Sequence, residues 1–234
     1  MRVLGLIPAR AGSKRLPRKN LLPLAGEPLI GHTIRAGQAS SLITDLIVST
    51  DCEEIAKVAR EYGVDVPFLR PAEISGDESS DRDVLLHALN FYQRHGIIFD
   101  VVSYLRPTTP LKTPTLVDMA ISKLKSDDSL TGVRSVTKVS GIFHPYWSYR
   151  PEGGELRPFV EGTRPEEYYQ SQKLPECLRL NGVSDALRPK VIAASKNIFG
   201  DSLGFVETNE IRSVDIDTNL DFLFCEAILG NQLI

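Results

Sequence analysis

The chain has 234 residues, 42% hydrophobic and 24% charged, which suits a globular protein of one large α/β domain, with or without an attached lobe. Its 27 Lys and Arg against 30 Asp and Glu give a formal net charge of −3, whereas a general nucleic-acid binder is usually basic. No apolar run approaches the ~20 residues of a membrane span, the apolar start is too short for a signal peptide, and Cys52, Cys177 and Cys225 are too scattered for a disulfide framework or a zinc site, so a cytoplasmic protein is expected.

In chain order, "RVLGLIPA" reads as a short buried strand. Pro8, Gly12 and Pro17 then deny regular structure to a loop. "EPLIGHTIRAGQAS" has apolar residues at helical spacing, with Glu27 and Pro28 suited to its first turn. "DLIVST" is a second strand, ending at Asp51. "CEEIAKVAREYG" is an amphipathic helix with Ile55, Val58, Ala59 and Tyr62 on one face and Gly63 as its stop. "DRDVLLHALNFYQRHG" is a further helix, stopped at Gly96. "FDVVSYL" is a strand, "RPTTPLKTP" a loop, "TPTLVDMAISKLKSD" a helix and "SLTGVRSVTKV" a strand.

Strands alternating with helices to about residue 135 imply a parallel sheet with helices on both faces. Ligands of such sheets sit beyond the carboxyl ends of the strands. The opening loop, Ser49–Asp51 and Arg106–Thr108 all follow strands and are expected to converge on one crevice. Residues 140–176, rich in Pro, Gly and aromatics, read as a β-rich excursion from a main domain of residues 1–139 and 177–234. "KVIAASKNIF", "LGFVE" and "SVDIDTNLDFLFCEAIL" return to strand and helix signals.

The loop "IPARAGSKRLPRKNL" carries Arg10, Lys14, Arg15, Arg18 and Lys19, and no acid appears before Glu27. Cations and free backbone N–H groups between a strand and a helix suit a polyphosphate. Arg offers bidentate contact and Lys a mobile point charge. The spacing does not match the P-loop, because no glycine precedes Gly12 at the required distance. The bland alternative is a solvated surface run. Far along the chain, Asp215 and Asp217 alternate with Val214 and Ile216 in a strand-like stretch, so both carboxylates face one way. Adjacent like charges favour a bound cation, and Mg²⁺ takes one or two carboxylates plus phosphate oxygens. The alternative is a helix start: Thr218 and Asp221 form a cap that can also use Asp217 but does not account for Asp215. His32, His87, His95 and His144 lack ligand-like spacing and read as structural.

The loop, followed in order by "LAGEPLIGHTI", "IVSTDCEEIAKVAREYGVDVPFLRPAEIS" and "SVDIDTNLDF", resembles the sugar-acid cytidylyltransferases, the group of the acylneuraminate (CMP-sialic acid) synthetases. The resemblance covers nearly the whole chain and weakens between about Ser140 and Ser213. It implies a doubly wound, mostly parallel, Rossmann-like sheet of the nucleotidyltransferase type. It also implies the reaction CTP plus sugar acid to CMP-sugar acid plus pyrophosphate, with Mg²⁺. By position it makes Arg10 and Lys19 the catalytic cations and Asp215 with Asp217 the metal site. Nucleotide contacts would come from Ala9, Arg10, Ala11, Gly12, Ser13, Lys14, Asn20, Arg70 and Ser79, where Ser79 and Ser80 read equally well as a helix cap. The excursion would serve a homodimer.

The acceptor side departs from the family pattern. Arg106 in "RPTTPL" stands where glutamine is usual, and Trp147 in "HPYW" where lysine is usual. Ser171 replaces an arginine upstream of "LPE", and Asp185 in "NGVSDAL" replaces a tyrosine. Family members contact the sugar acid at these positions, so the same reaction on a different acceptor is expected. Arg106, with Lys173 or Arg164, is a candidate for the acceptor carboxylate. The aromatics Tyr146, Trp147, Tyr149, Tyr168 and Tyr169 suit either that pocket or an interface. An eight-carbon ulosonic acid (Kdo) cytidylyltransferase, echoed by Arg15-Leu16-Pro17, and a non-catalytic nucleotide-sugar binder stay open as alternatives.

Overall fold

The computed structural model describes residues 1–231. The chain starts with β1 (Val3–Pro8), a 3₁₀ turn (Lys19–Leu21), a small antiparallel hairpin β2 (Pro23–Leu24) and β3 (Glu27–Pro28), and α1 (Leu29–Gln38). It continues through β4 (Asp45–Ser49), α2 (Glu53–Glu61), α3 (Asp81–Arg94), β5 (Val101–Tyr104), α4 (Pro114–Ser126) and β6 (Gly132–Lys138). After the excursion come β9 (Leu178–Leu187), α5 (Pro189–Ala194), β10 (Leu203–Glu207) and α6 (Asn219–Gly230); β7 (Tyr149–Glu152) and β8 (Glu155–Pro158) lie within the excursion.

Six strands form one sheet in the order β10-β6-β9-β5-β1-β4. β9 runs antiparallel to both neighbours, while the pairs β1–β4, β1–β5 and β10–β6 are parallel. Strand alternation divides the side chains between two layers. Val3, Ile7, Val48, Val101 and Leu105 pack with Ile34 of α1, Ile55 of α2 and Ile121 of α4. Leu4, Leu6, Ile47, Val102 and Tyr104 pack with Leu85 of α3 and Ile192 of α5. The sheet is therefore wound on both faces, as expected.

The local signals act where they were read. Gly63 and Gly96 stand at φ +75° and +76° just past their helices, a conformation that glycine adopts without penalty. Thr218 and Asp221 form a reciprocal capping box on α6, and Ser80 with Asp83 forms another on α3. Pro28 lies at the N-cap of α1 rather than inside its first turn, because Glu27 and Pro28 pair with β2. Among the described residues no helix is long and apolar enough to cross a membrane.

Two elements differ from the expectation. β9, inserted centrally in the sheet, is not visible as an apolar run, since Asn181, Gly182, Ser184 and Asp185 interrupt it. The excursion holds one hairpin, β7–β8, and 3₁₀ turns at Gly141–Phe143, Pro145–Trp147, Pro165–Tyr168 and Ser171–Lys173, so it is less β-rich than expected. Pro145, Pro151, Pro158, Pro165 and Pro175 supply no backbone donors to extend a ladder. The chain leaves the sheet after Val139 and returns at Cys177, whose carbonyl accepts from the Val139 N–H at 2.8 Å.

Candidate active site

The carboxyl ends of β1, β4 and β5 meet, tied by Ala9 N–H to the Ser49 carbonyl at 2.9 Å and Leu105 N–H to the Leu6 carbonyl at 3.0 Å. Beyond them opens a cavity of about 610 Å³. Arg10, Ser13, Lys14, Lys19 and Asn20 line one wall, Arg70, Asp77 and Ser79 another, and Tyr104, Arg106 and Thr108 a third, with Asp217 at the rim of the first.

The loop holds its shape without glycine geometry at Gly12. Asn20 Nδ2 donates to the Arg10 carbonyl at 3.0 Å, and Asp51 accepts from the Ala11 N–H at 2.9 Å. Arg18 adopts φ +57°, which turns the chain into the 3₁₀ turn and buries Lys19 and Asn20. Lys19 Nζ then donates to the Ile216 carbonyl at 2.5 Å and to Asp217 Oδ1 at 3.1 Å. Across the cavity, Asp77 accepts from Lys14 at 2.5 Å and Arg10 at 3.0 Å, and Arg10 also donates to the Gly76 carbonyl at 2.7 Å. The Lys14 ammonium, followed by Arg10, holds the Asp77 carboxyl below its ordinary range.

Arg70 is brought in by a parallel bridge of Thr50 to Leu69, and its N–H donates to the Thr50 carbonyl at 2.7 Å. Its side chain is 4% exposed and its closest carboxylate, Asp51, is 3.9 Å away. Nε and Nη2 find no hydrogen-bond partner among the described residues. Burial lowers its pKa from the ordinary arginine value, against the pull of Asp51. A buried cation left this way is costly unless an anion completes it.

Residues 4–203 match the cytidylyltransferase family. The chain belongs to that family. It is 37% identical to a CMP-N,N'-diacetyllegionaminic acid synthase of Legionella pneumophila, across 98% of this chain and 97% of that one. It is 30% identical to an N-acylneuraminate cytidylyltransferase of Escherichia coli, over 94% of this chain and half of that protein. A CMP:2-keto-3-deoxy-manno-octonic acid synthetase complexed with CTP shares the fold, with a TM-score of 0.74 at 18% identity over 99% of this chain and all of that one.

In this cytidylyltransferase, the residues expected to meet a nucleotide divide into two groups. Arg10, Ser13, Lys14, Lys19, Asn20, Arg70 and Ser79 face the cavity. Ala9 does not: its side chain is 1% exposed and its N–H belongs to Ser49. Ala11 and Gly12 do not line the cavity either. The Ala11 N–H is taken by Asp51, while the N–H groups of Arg10, Gly12, Ser13 and Lys14 have no partner among the described residues. The Asp51 carboxylate thus serves the loop and not α2, which has Cys52 at its N-cap and no side-chain cap.

Asp215 and Asp217 lie on an extended segment without ladder partners, anchored by Ile216 N–H to the Thr108 carbonyl at 2.7 Å. Ile216 is buried beside Leu24, Leu29 and Cys225, with half-buried Val214 packed against them, while both carboxylates are exposed. No third acidic, His or Cys side chain joins them in a metal-binding group among the described residues. Asp217 lines the cavity and Asp215 does not; two hard carboxylates at the edge of a cation-lined cavity suit Mg²⁺ completed by phosphate and water.

The expected acceptor residues do not gather. Trp147 is half-buried in the excursion, donating Nε1–H to the Tyr168 carbonyl at 2.7 Å, and Ser171 is exposed there; neither lines the cavity. Arg164 pairs with Glu167, and Lys173 stacks over Tyr169. Arg106 lines the cavity but is not a free cation. Its Nη1 meets Asp185 at 2.6 Å and its Nη2 meets Asp81 at 2.7 Å. Burial works against its charge, but Asp185 and then Asp81 outweigh burial and raise its pKa. Asp185 cannot touch a ligand at all, because its side chain is 0% exposed between Arg106 and Arg134. Sequence reasoning missed Asp77 and Asp81, which line the cavity, and Lys112, which lies buried behind it and donates to the Arg106 carbonyl at 2.7 Å. The acidic run "GDESSD" opposite a basic loop is the one signal for Asp77; Lys112 shows none.

Proposed function

We propose that this cytidylyltransferase transfers CMP from CTP to a nonulosonic sugar acid of the legionaminic, pseudaminic or neuraminic type, releasing pyrophosphate. The observation that carries the reading is the buried Arg70 guanidinium, whose Nε and Nη2 have no hydrogen-bond partner among the described residues, sharing one cavity with Arg10, Lys14, Lys19 and Asp217. Full-length similarity to a CMP-N,N'-diacetyllegionaminic acid synthase supports the acceptor class.

In this reading the acceptor hydroxyl gives up its proton to solvent as its oxygen attacks the α-phosphorus. A new P–O bond forms there as the bond to the pyrophosphate oxygen breaks. Negative charge grows on the leaving group, so Arg10, Lys14 and Lys19 stabilise the transition state more than the ground state. The free N–H groups of Gly12, Ser13 and Lys14 add donors to phosphate oxygens. Arg70 and Ser79 hold the nucleotide, and Asp215 and Asp217 would hold Mg²⁺. That ion, when bound, neutralises triphosphate charge and acts as a Lewis acid. Arg106 receives the acceptor carboxylate with N–H groups that its two acidic partners leave free, since a guanidinium carries five donors.

Trp147 and Ser171 reach an acceptor in this reading only across a homodimer. Ile142, Phe143, Leu156 and Phe159 of the excursion are more than 60% exposed (77%, 73%, 68% and 62%), and a second copy of the chain is their proposed cover. The cytoplasm, where CTP is available, is the proposed location. Pyrophosphate release with CTP, Mg²⁺ and a panel of nonulosonic acids tests the reading. Release is expected with at least one acid of these types. Silence with every acid overturns it.

A further inference from the structure

Asp185 is a fully buried carboxylate near the cavity that no step above uses. Its place follows from the sheet. Asp185 of β9 lies opposite Tyr104 of β5 on one side and Arg134 of β6 on the other. Cross-strand partners share a face, and Arg106, two residues past Tyr104, returns to that face. The four side chains are therefore forced together. Asp185 Oδ2 accepts from Arg106 Nη1 at 2.6 Å, and Oδ1 accepts from Arg134 Nε at 3.3 Å.

Arg106 is fixed at further points. Its Nη2 donates to Asp81 Oδ2 at 2.7 Å, and its guanidinium lies over the Tyr104 ring, 4.8 Å from the centroid. Tyr104 Oη donates to the other oxygen of Asp81 at 2.8 Å. Gly182, at φ +66°, gives β9 a backbone conformation that side chains rarely adopt, next to Arg106; a Cβ there would make ordinary van der Waals contact with Arg106 Nη1 at 3.5 Å. A side chain with many rotamers is thus held in one, with 21% of it exposed at the cavity wall.

A buried ion pair is a weak source of stability, because desolvation consumes most of the attraction. Its value here lies in geometry: a pre-aimed guanidinium loses less entropy on meeting a carboxylate than a mobile one. We propose that Asp185 is a positioning residue that sets acceptor affinity by aiming Arg106 into the cavity, with Arg134 holding Asp185 from behind. The proposal rests on the acceptor reading above for its substrate, and on the contacts themselves for the positioning.

Two measurements separate these foundations. The first is ¹⁵N NMR of the Arg106 guanidinium in the full chain. Hindered rotation about Nε–Cζ is expected in the parent protein and fast rotation in Asp185→Asn; equal rotation in both overturns the proposal whatever the acceptor. The second is steady-state kinetics with an acid that the parent enzyme accepts. Asp185→Asn should raise acceptor KM about tenfold with CTP KM within about twofold, and should add nothing further in an Arg106→Gln background. A matching rise in both KM values, or additive effects of the two substitutions, overturns it. Should Asp185→Asn not fold, Asp185→Glu keeps the charge but displaces it, and the same KM split is expected. If the parent enzyme accepts no acid, the acceptor reading has failed, and the NMR result alone decides whether Asp185 positions Arg106.

Discussion

Lys19 and Asp217 stand 198 positions apart in the chain and meet at 3.1 Å, ammonium to carboxylate. Lys19 is 9% exposed, and its other contact is the Ile216 carbonyl. The phosphate loop and the acidic segment are thus joined through a buried ammonium, with Arg15 Nη1 donating to the other Asp217 oxygen at 3.3 Å. A cation occupying Asp217 would draw that carboxylate away and release the Lys19 charge toward the triphosphate. Lys19→Met should therefore lower kcat by about 10²–10³, the scale of losing one preorganised charge donor. CTP KM should change less than about tenfold. An unaltered kcat would make Lys19 a structural tie only.

The acidic side carries its own test. Asp215→Asn with Asp217→Asn should abolish turnover and remove the Mg²⁺ dependence of CTP binding, as read by calorimetry with and without the ion. The fold should survive, because both side chains are exposed and Ile216 makes the core contacts. Activity retained in the double variant would rule out the metal assignment.

Arg70 predicts a conflict between stability and binding. Its guanidinium is buried with no hydrogen-bond partner for Nε or Nη2 among the described residues. Arg70→Met should stabilise the free protein by about 1–3 kcal/mol, since it removes a desolvated charge with unsatisfied N–H groups and leaves the partly exposed Asp51 its bond from the Ala11 N–H. In a chain of this size that raises Tm by roughly 2–4 °C per kcal/mol. The same substitution should weaken CTP binding about 10- to 100-fold, the scale of one lost charged hydrogen bond. Thermal unfolding and CTP titration on one preparation give both numbers. A variant that is less stable and binds CTP normally would contradict the assignment.

The legible part of this molecule was local. Strand β1, the stops at Gly63 and Gly96, the cap at Thr218 and the positive loop all declare themselves within a few residues of sequence. β9 was not legible, because most of its polar groups find partners only after the strands pair. Asn181 Nδ2 donates to Thr137 and Thr208 hydroxyls at 2.6 and 2.7 Å, and the Ser184 N–H donates to Ser135 Oγ at 2.9 Å. Arg106 and Asp185 likewise read as two independent departures at an acceptor pocket. They are one ion pair between residues 79 positions apart, and a single sequence carries no sign of such a partnership.

Asp77 bridges Arg10 and Lys14 where a phosphate is proposed to bind. A nucleotide must displace it, so Asp77→Asn should tighten CTP binding, by about two- to tenfold at low salt, with the gain shrinking as salt screens the exposed charges. Because its Lys14 and Arg10 partners hold the Asp77 carboxyl below the ordinary range, the bridge persists down to mildly acidic pH and should not open near neutrality. Weaker CTP binding in the variant would assign Asp77 to the nucleotide-bound state instead.

Lys112 gives the prediction with a pH sign. Its ammonium is buried and donates to the Arg106 carbonyl at 2.7 Å, the Thr109 carbonyl at 2.5 Å, Thr109 Oγ1 at 3.0 Å and Thr33 Oγ1 at 3.1 Å. These contacts tie α1 to the turn that anchors Ile216. Burial pushes its pKa down from 10.5 to about 7, with Asp215 opposing and Arg106 assisting. Between those two values the unfolded chain keeps the proton and the folded chain releases it. The unfolded state then binds more protons, so this group makes stability rise with pH, by up to about 1.4 kcal/mol per pH unit. Below pH 7 both states are protonated and the slope disappears. Lys112→Met removes the titration, so the stability of the parent relative to the variant should climb across pH 7.5 to 8.5. Urea unfolding at the two pH values measures it. Parallel profiles would mean that the four oxygens keep Lys112 charged through the window, and the turn would then be held by an ammonium at every pH the protein meets.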